Sequence, residues 1–96
     1  MHLVISDAIR AKLDAKHGVT PKDVRECFEN RAGGFLTDDR EQHRTDPPTL
    51  WFIACNNHER QLKVCFVLRD GVVYLRTCYP PNPVEISIYE SVGSQP

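Results

Sequence analysis

The sequence predicts an α+β domain in which two N-terminal helices pack on one face of a four- to five-stranded antiparallel sheet. Three observations carry that expectation. Helix-capping residues crowd the first third of the chain, with Ser6, Gly18 and Thr20-Pro21 bracketing two short apolar periodicities. From Leu50 onward, apolar runs of strand length replace helical spacing. Asp70-Gly71 then falls between two such runs, which is the strongest short hairpin signal.

The chain has 96 residues, a hydrophobic content of 41% and a charged content of 26%, all ordinary for one globular domain. We assign residues 1–92 to that domain and 93–96 to a frayed C-terminal tail. This length leaves no room for a doubly wound sheet or a closed α/β barrel. A net charge of −1 supplies no bulk attraction toward nucleic acid or anionic membrane. No run approaches the length of a membrane span, and the start lacks a basic segment followed by an apolar one, so a soluble cytoplasmic protein is expected. The four cysteines are then expected to be reduced, three of them serving as small hydrophobes in apolar runs.

Leu3-Val4-Ile5 reads as a short first strand, and Ser6 caps the helix after it. Ile9 and Leu13 form its apolar stripe, and Gly18 suits the left-handed position past its end. A second helix starts at Thr20 with Pro21 in the first turn, buries Val24, Cys27 and Phe28, and stops at Gly33-Gly34. Phe35-Leu36-Thr37 is a candidate short strand, and Asp38 to Pro48 a polar surface loop. Leu50 to Cys55 is apolar throughout, as a central strand covered on both faces would be. Leu62–Leu68 and Val72–Tyr79 form the hairpin arms, and Val84–Tyr89 alternates with period two, as an edge strand does.

A two-residue loop at Asp70-Gly71 pairs Arg69 with Val72 and fixes the register behind it. Leu68–Val73, Phe66–Leu75 and Val64–Thr77 then share the core face. Val67–Tyr74, Cys65–Arg76 and Lys63–Cys78 share the other. Lys63, Tyr74 and Arg76 come together on that second face, with Arg60 and His58 in the adjoining loop. Such a set can hold a phosphodiester, because guanidinium forks match phosphate oxygens. A solvated sheet face carrying one aromatic ring fits the same residues.

Other constellations carry less. Cys55 and His58 have a zinc-compatible spacing but no second ligand pair, and His43 stands alone, so no metal and no cofactor is expected. Asp38, Asp39, Glu41 and Asp46 lack the order of a calcium loop. His17 fits a helix C-terminus, where its partial charge is favourable.

The turn Lys16-His17-Gly18-Val19-Thr20, the helix ending near Phe28-Glu29, Asp38-Asp39-Arg40-Glu41 and the strands with a polar hairpin resemble BrnT-type toxins. These belong to the RelE/ParE-like superfamily of bacterial toxin–antitoxin proteins, and the likeness covers roughly residues 5–79. It implies a RelE-like fold, an RNA endonuclease that blocks translation, and a cognate antitoxin. In that reading Lys63, Arg76, Arg60 and Tyr74 are the catalytic positions, and His58 and Arg69 contact RNA. The family tends to follow its last core strand with a basic stretch and a charged helix, whereas here Cys78-Tyr79-Pro80-Pro81-Asn82-Pro83 leads into the alternating segment. A non-catalytic protein-binding module on the same scaffold is the competing expectation.

The outer sheet face is also expected to be an interface. Leu50 to Cys55 is apolar on both sides while two helices cover one face, leaving either Trp51 and Ile53 or Leu50 and Phe52 beside Cys65, Val67 and Tyr74. The candidate covers are an antitoxin, a second copy in a homodimer, or the C-terminal segment folded back. RNA or the ribosome is a further expected partner, and a membrane is not.

Overall fold

The computed structural model describes residues 1–38 and 45–93. Strand β1 (His2–Val4) leads into helix α1 (Asp7–His17) and helix α2 (Pro21–Asn30). Strands β2 (Leu36–Thr37), β3 (Thr49–Cys55), β4 (Gln61–Arg69) and β5 (Val72–Tyr79) follow. Helix α3 (Pro83–Ile88) and a π-helical turn (Tyr89–Gly93) close the described chain. The five strands form one sheet in the order β1-β5-β4-β3-β2.

Local chemistry sets the helix ends as expected. The Ser6 side chain accepts from the Ile9 amide, and Gly18 at φ 60° sends its N–H back to the Asp14 carbonyl. Thr20 and Asp23 form a reciprocal capping box around Pro21. Helix α2 stops at Asn30, ahead of the glycine pair. Helix α1 packs on β5, and α2 on β3 and β4. Their buried Leu13, Val24 and Cys27 meet Phe52, Val64, Phe66 and Leu75 from the sheet. Phe28 sits edge-on to Phe52 and Phe66, with ring centroids at 4.8 and 5.3 Å.

The sheet is mixed, not antiparallel throughout, because β1 runs parallel to β5 with Val4 opposite Tyr74. The intervening chain makes the long crossover that parallel pairing requires. The hairpin turns at Asp70-Gly71, and Arg69–Val72, Leu68–Val73, Val67–Tyr74 and Phe66–Leu75 pair as the two-residue loop dictates. Beyond Leu75 the expected pairing fails. Cys65 faces Thr77 instead of Arg76, Val64 faces Cys78, and Lys63 faces Tyr79. Arg76 is the extra residue of a β-bulge. Strict alternation would have buried Thr77 and exposed Cys78. The bulge reverses this, leaving Cys78 fully buried and Thr77 only partly so.

Val84–Tyr89 is not an edge strand. Asn82 caps a helix, accepting from the Glu85 amide while Glu85 accepts from the Asn82 N–H, and Pro83 takes the first turn. This segment folds back on the sheet face opposite α1 and α2. Tyr89 packs against Trp51 at 5.8 Å between ring centroids and donates to the Gly34 carbonyl. Gly93, which opens the expected frayed tail, is buried and accepts from the Gly34 amide at 2.7 Å. Residues 94–96 lie outside the described residues, as do 39–44 of the expected surface loop. No helix among the described residues is long and apolar enough to cross a membrane.

Candidate functional site

The strand register divides the sheet side chains between two faces. Phe52, Val64 and Phe66 point to α1 and α2, while Trp51, Ile53, Lys63, Cys65, Val67 and Tyr74 lie on the outer face. Trp51 and Ile53, not Leu50 and Phe52, therefore need a second cover. Helix α3 and the π-helical turn supply part of it.

The hairpin end of the outer face stays open. Val67, Arg69, Tyr74 and Arg76 line a shallow depression there. Tyr74 is 40% exposed, and Arg76 is exposed beside it where the bulge re-aims the side chain. Neither side chain makes a hydrogen bond or ion pair with another described residue. Among the described residues, the Arg69 side chain hydrogen-bonds only to the Asp46 carbonyl, at 3.4 Å. Two guanidinium groups thus flank an exposed phenol ring, a combination suited to a phosphate and a stacked base.

Lys63 shares the outer face, but α3 separates its side chain from solvent. It is 5% exposed, and its ammonium donates to Glu85 Oε2 at 2.7 Å and to the Tyr79 hydroxyl at 3.2 Å. The Tyr79 hydroxyl donates to the same Glu85 oxygen at 2.7 Å. The Lys63 ammonium also lies 4.5 Å from the Trp51 ring centroid. Burial pulls the Lys63 pKa down, but the bonds to Glu85 and Tyr79 outweigh it and hold the group above its ordinary value. Burial likewise pushes Glu85 up, and the Lys63, Asn82 and Tyr79 donors outweigh that and keep its carboxyl below the usual range. For Tyr79, burial and the bond to Glu85 both raise the phenol.

Arg60 and His58 precede the other end of β4, a strand about 26 Å long from Gln61 to Arg69. Arg60 closes the C-terminus of α1, donating to the Gly18 carbonyl at 3.1 Å and the His17 carbonyl at 2.5 Å. His58 is exposed in a loop organised by Asn56, whose side chain accepts from the His58 and Arg60 amides and donates to Asp23. Of the six residues singled out in the sequence, the fold therefore gathers Arg69, Tyr74 and Arg76. It covers Lys63 and sends Arg60 and His58 elsewhere.

Tyr79 and Glu85 complete the Lys63 cluster, and sequence reasoning passed over both. The available signal was Asn82-Pro83-Val84-Glu85, a capping-box spacing that marks a helix start. Among the described residues no group of three or more His, Cys, Asp or Glu side chains is placed to hold a metal ion. His43, Asp39 and Glu41 lie outside the described residues.

The fold and this face define an α+β domain with a mixed five-stranded sheet, helices on both sides and an open basic-aromatic patch. Comparison with protein-family models and with curated proteins finds no match.

Proposed function

We propose that the chain is a cytoplasmic toxin of a type II toxin–antitoxin system, an RNA endonuclease on a RelE-like scaffold related to the BrnT type. The observation that carries this reading is the open patch of Arg69, Tyr74 and Arg76, whose tyrosine and bulge-arginine side chains have no hydrogen-bond or ion-pair partner among the described residues. Two features of the fold support it. The helix pair packs on one sheet face, and a helix follows the last core strand, although Pro83–Ile88 carries one charge, Glu85, where the resemblance implies a basic stretch and a charged helix.

On this reading an RNA strand crosses the outer face with a phosphate between the two guanidiniums and a base on the Tyr74 ring. The ribose 2′-oxygen attacks the adjacent phosphorus, the bond from phosphorus to the 5′-oxygen breaks, and a 2′,3′-cyclic phosphate is left. The 2′-hydroxyl gives its proton to water and the 5′-oxygen takes one from water, since the face is open. Arg69 and Arg76 stabilise the charge that builds on the phosphate oxygens. A cognate antitoxin would act by covering this patch.

Induced expression in a bacterial host, with growth and RNA integrity followed, tests the reading. Growth arrest with fragmented RNA is expected, and Arg76→Ala should abolish both. Normal growth with intact RNA would overturn it. A second reading, a non-catalytic protein-binding module in a homo- or hetero-oligomer, is favoured by the structural employment of Lys63 and Arg60. It predicts no cleavage.

A further inference from the structure

The Lys63 ammonium and the Tyr79 hydroxyl converge on a single oxygen, Glu85 Oε2, each at 2.7 Å. Both donors belong to the sheet, and the Trp51 ring walls the site on one side. The oxygen they hold comes from a six-residue helix with no fully buried residue. That helix and the turn after it leave Val84, Ile88 and Val92 exposed at 67%, 44% and 63%. The sheet thus presents a socket for one oxyanion, and the chain's own carboxylate fills it. A groove bounded by Leu36, Asp38, Trp51 and Ile88 opens onto Lys63 and Glu85 from the β2 side.

Lys63, Cys65 and Val67 alternate onto the same face, and Val67 lies opposite Tyr74. Lys63 is therefore about 13 Å along β4 from the open patch, within reach of one short single strand that occupies both. We propose that Lys63 and Tyr79 form a second phosphate subsite for RNA, in which Glu85 stands in place of the phosphate. The identity of the ligand rests on the proposed function; the socket itself does not. A backbone phosphate offers the same anionic oxygen as Glu85 and engages the same two donors once α3 lifts. Glu85 then acts as an internal competitor that keeps the subsite closed to free anions.

Trp51 is the single tryptophan of the chain, so its fluorescence reports on the socket. Wild type, Glu85→Gln and the double variant Lys63→Met/Glu85→Gln would be titrated with inorganic phosphate and, separately, with a short single-stranded RNA. Glu85→Gln should respond to phosphate at about tenfold lower concentration than wild type and bind RNA about tenfold more tightly, and the double variant should lose both gains. A folded Glu85→Gln that shows no phosphate response beyond wild type overturns the subsite. A phosphate response without any RNA response supports the socket and overturns the RNA reading. RNA binding that ignores both substitutions overturns the subsite and leaves the open patch standing. Should Glu85→Gln fail to fold, Glu85→Asp, which keeps the charge on a shorter arm, should show part of the gain. Failure of both to fold makes the carboxylate a folding requirement and overturns the proposal.

Discussion

Replacing Glu85 with alanine strips the Lys63 ammonium of its carboxylate and leaves the Tyr79 hydroxyl at 3.2 Å as its remaining hydrogen-bond partner. The pair is well shielded, with side chains 6% and 15% exposed. Deleting one partner of a buried pair costs about 3–5 kcal/mol. The lost cap on the Asn82 amide adds a further term of about 0.5–2 kcal/mol. A short helix with no fully buried residue can loosen and rehydrate the stranded ammonium, so the lower bound applies and about 3 kcal/mol is expected. For a domain of this size that is a fall in Tm on the order of 12–24 °C. Urea melts followed by far-UV circular dichroism at pH 7 would measure it as a lower midpoint with unchanged slope. The double variant Lys63→Met/Glu85→Leu removes both charges and should return to within about 1.5 kcal/mol of wild type. A Glu85→Ala loss below about 1 kcal/mol, the size of a solvent-exposed pair, would refute the reasoning. It would show that α3 is held by something other than this contact.

The pair also sets a pH window. Glu85 has its carboxyl lowered from 4.5, so its contribution is complete above that value and disappears as acid takes the pH through the lower folded pKa. Lys63 is raised from 10.5, so its contribution is complete below that value and disappears as alkali passes the higher one. Stability melts across pH should therefore show two flanks that Lys63→Met/Glu85→Leu flattens. Gly33→Ala should loosen the C-terminal segment at a cost of about 1–3 kcal/mol, because a Cβ there would strike the Gly93 carbonyl and lie 2.6 Å from the Tyr89 hydroxyl; thermal melts check it. Arg76→Ala, at an exposed site, should change stability by no more than about 0.5 kcal/mol while lowering RNA cleavage about 100-fold or more, and equal losses of stability and activity would count against the patch. In native protein a thiol reagent should modify exposed Cys55 first and leave Cys27 slow, its thiol pushed up to about 12 by burial, whereas unfolded protein should titrate four thiols.

Features governed by neighbours in the chain were legible in the sequence. Ser6, Gly18, Thr20 and Pro21 fix the first two helices through bonds spanning a few residues, and Asp70-Gly71 fixes the near half of the hairpin. The same turn placed Tyr74 opposite Val67 on the outer face, but Arg76 reaches that face as the bulge residue and not through the expected pairing with Cys65. The capping box at Asn82–Glu85 was equally local, but the alternation of Val84–Tyr89 masked it. Those apolar positions serve a short helix lying on a sheet instead of a strand within one. Tertiary structure decided the rest. Whether β1 runs parallel depends on where the chain re-enters the sheet, which no local signal carries. The bulge at Arg76 exists because Cys78, not Thr77, is buried against the helices, and that preference acts across the core. Through it Lys63 meets Tyr79 and not Cys78, and the returning α3 then sets Glu85 on both. Lys63 and the distant pair Tyr79 and Glu85 become one shielded charge cluster because burying the Lys63 ammonium requires an anion and a hydrogen bond, and only the folded chain brings them within its reach.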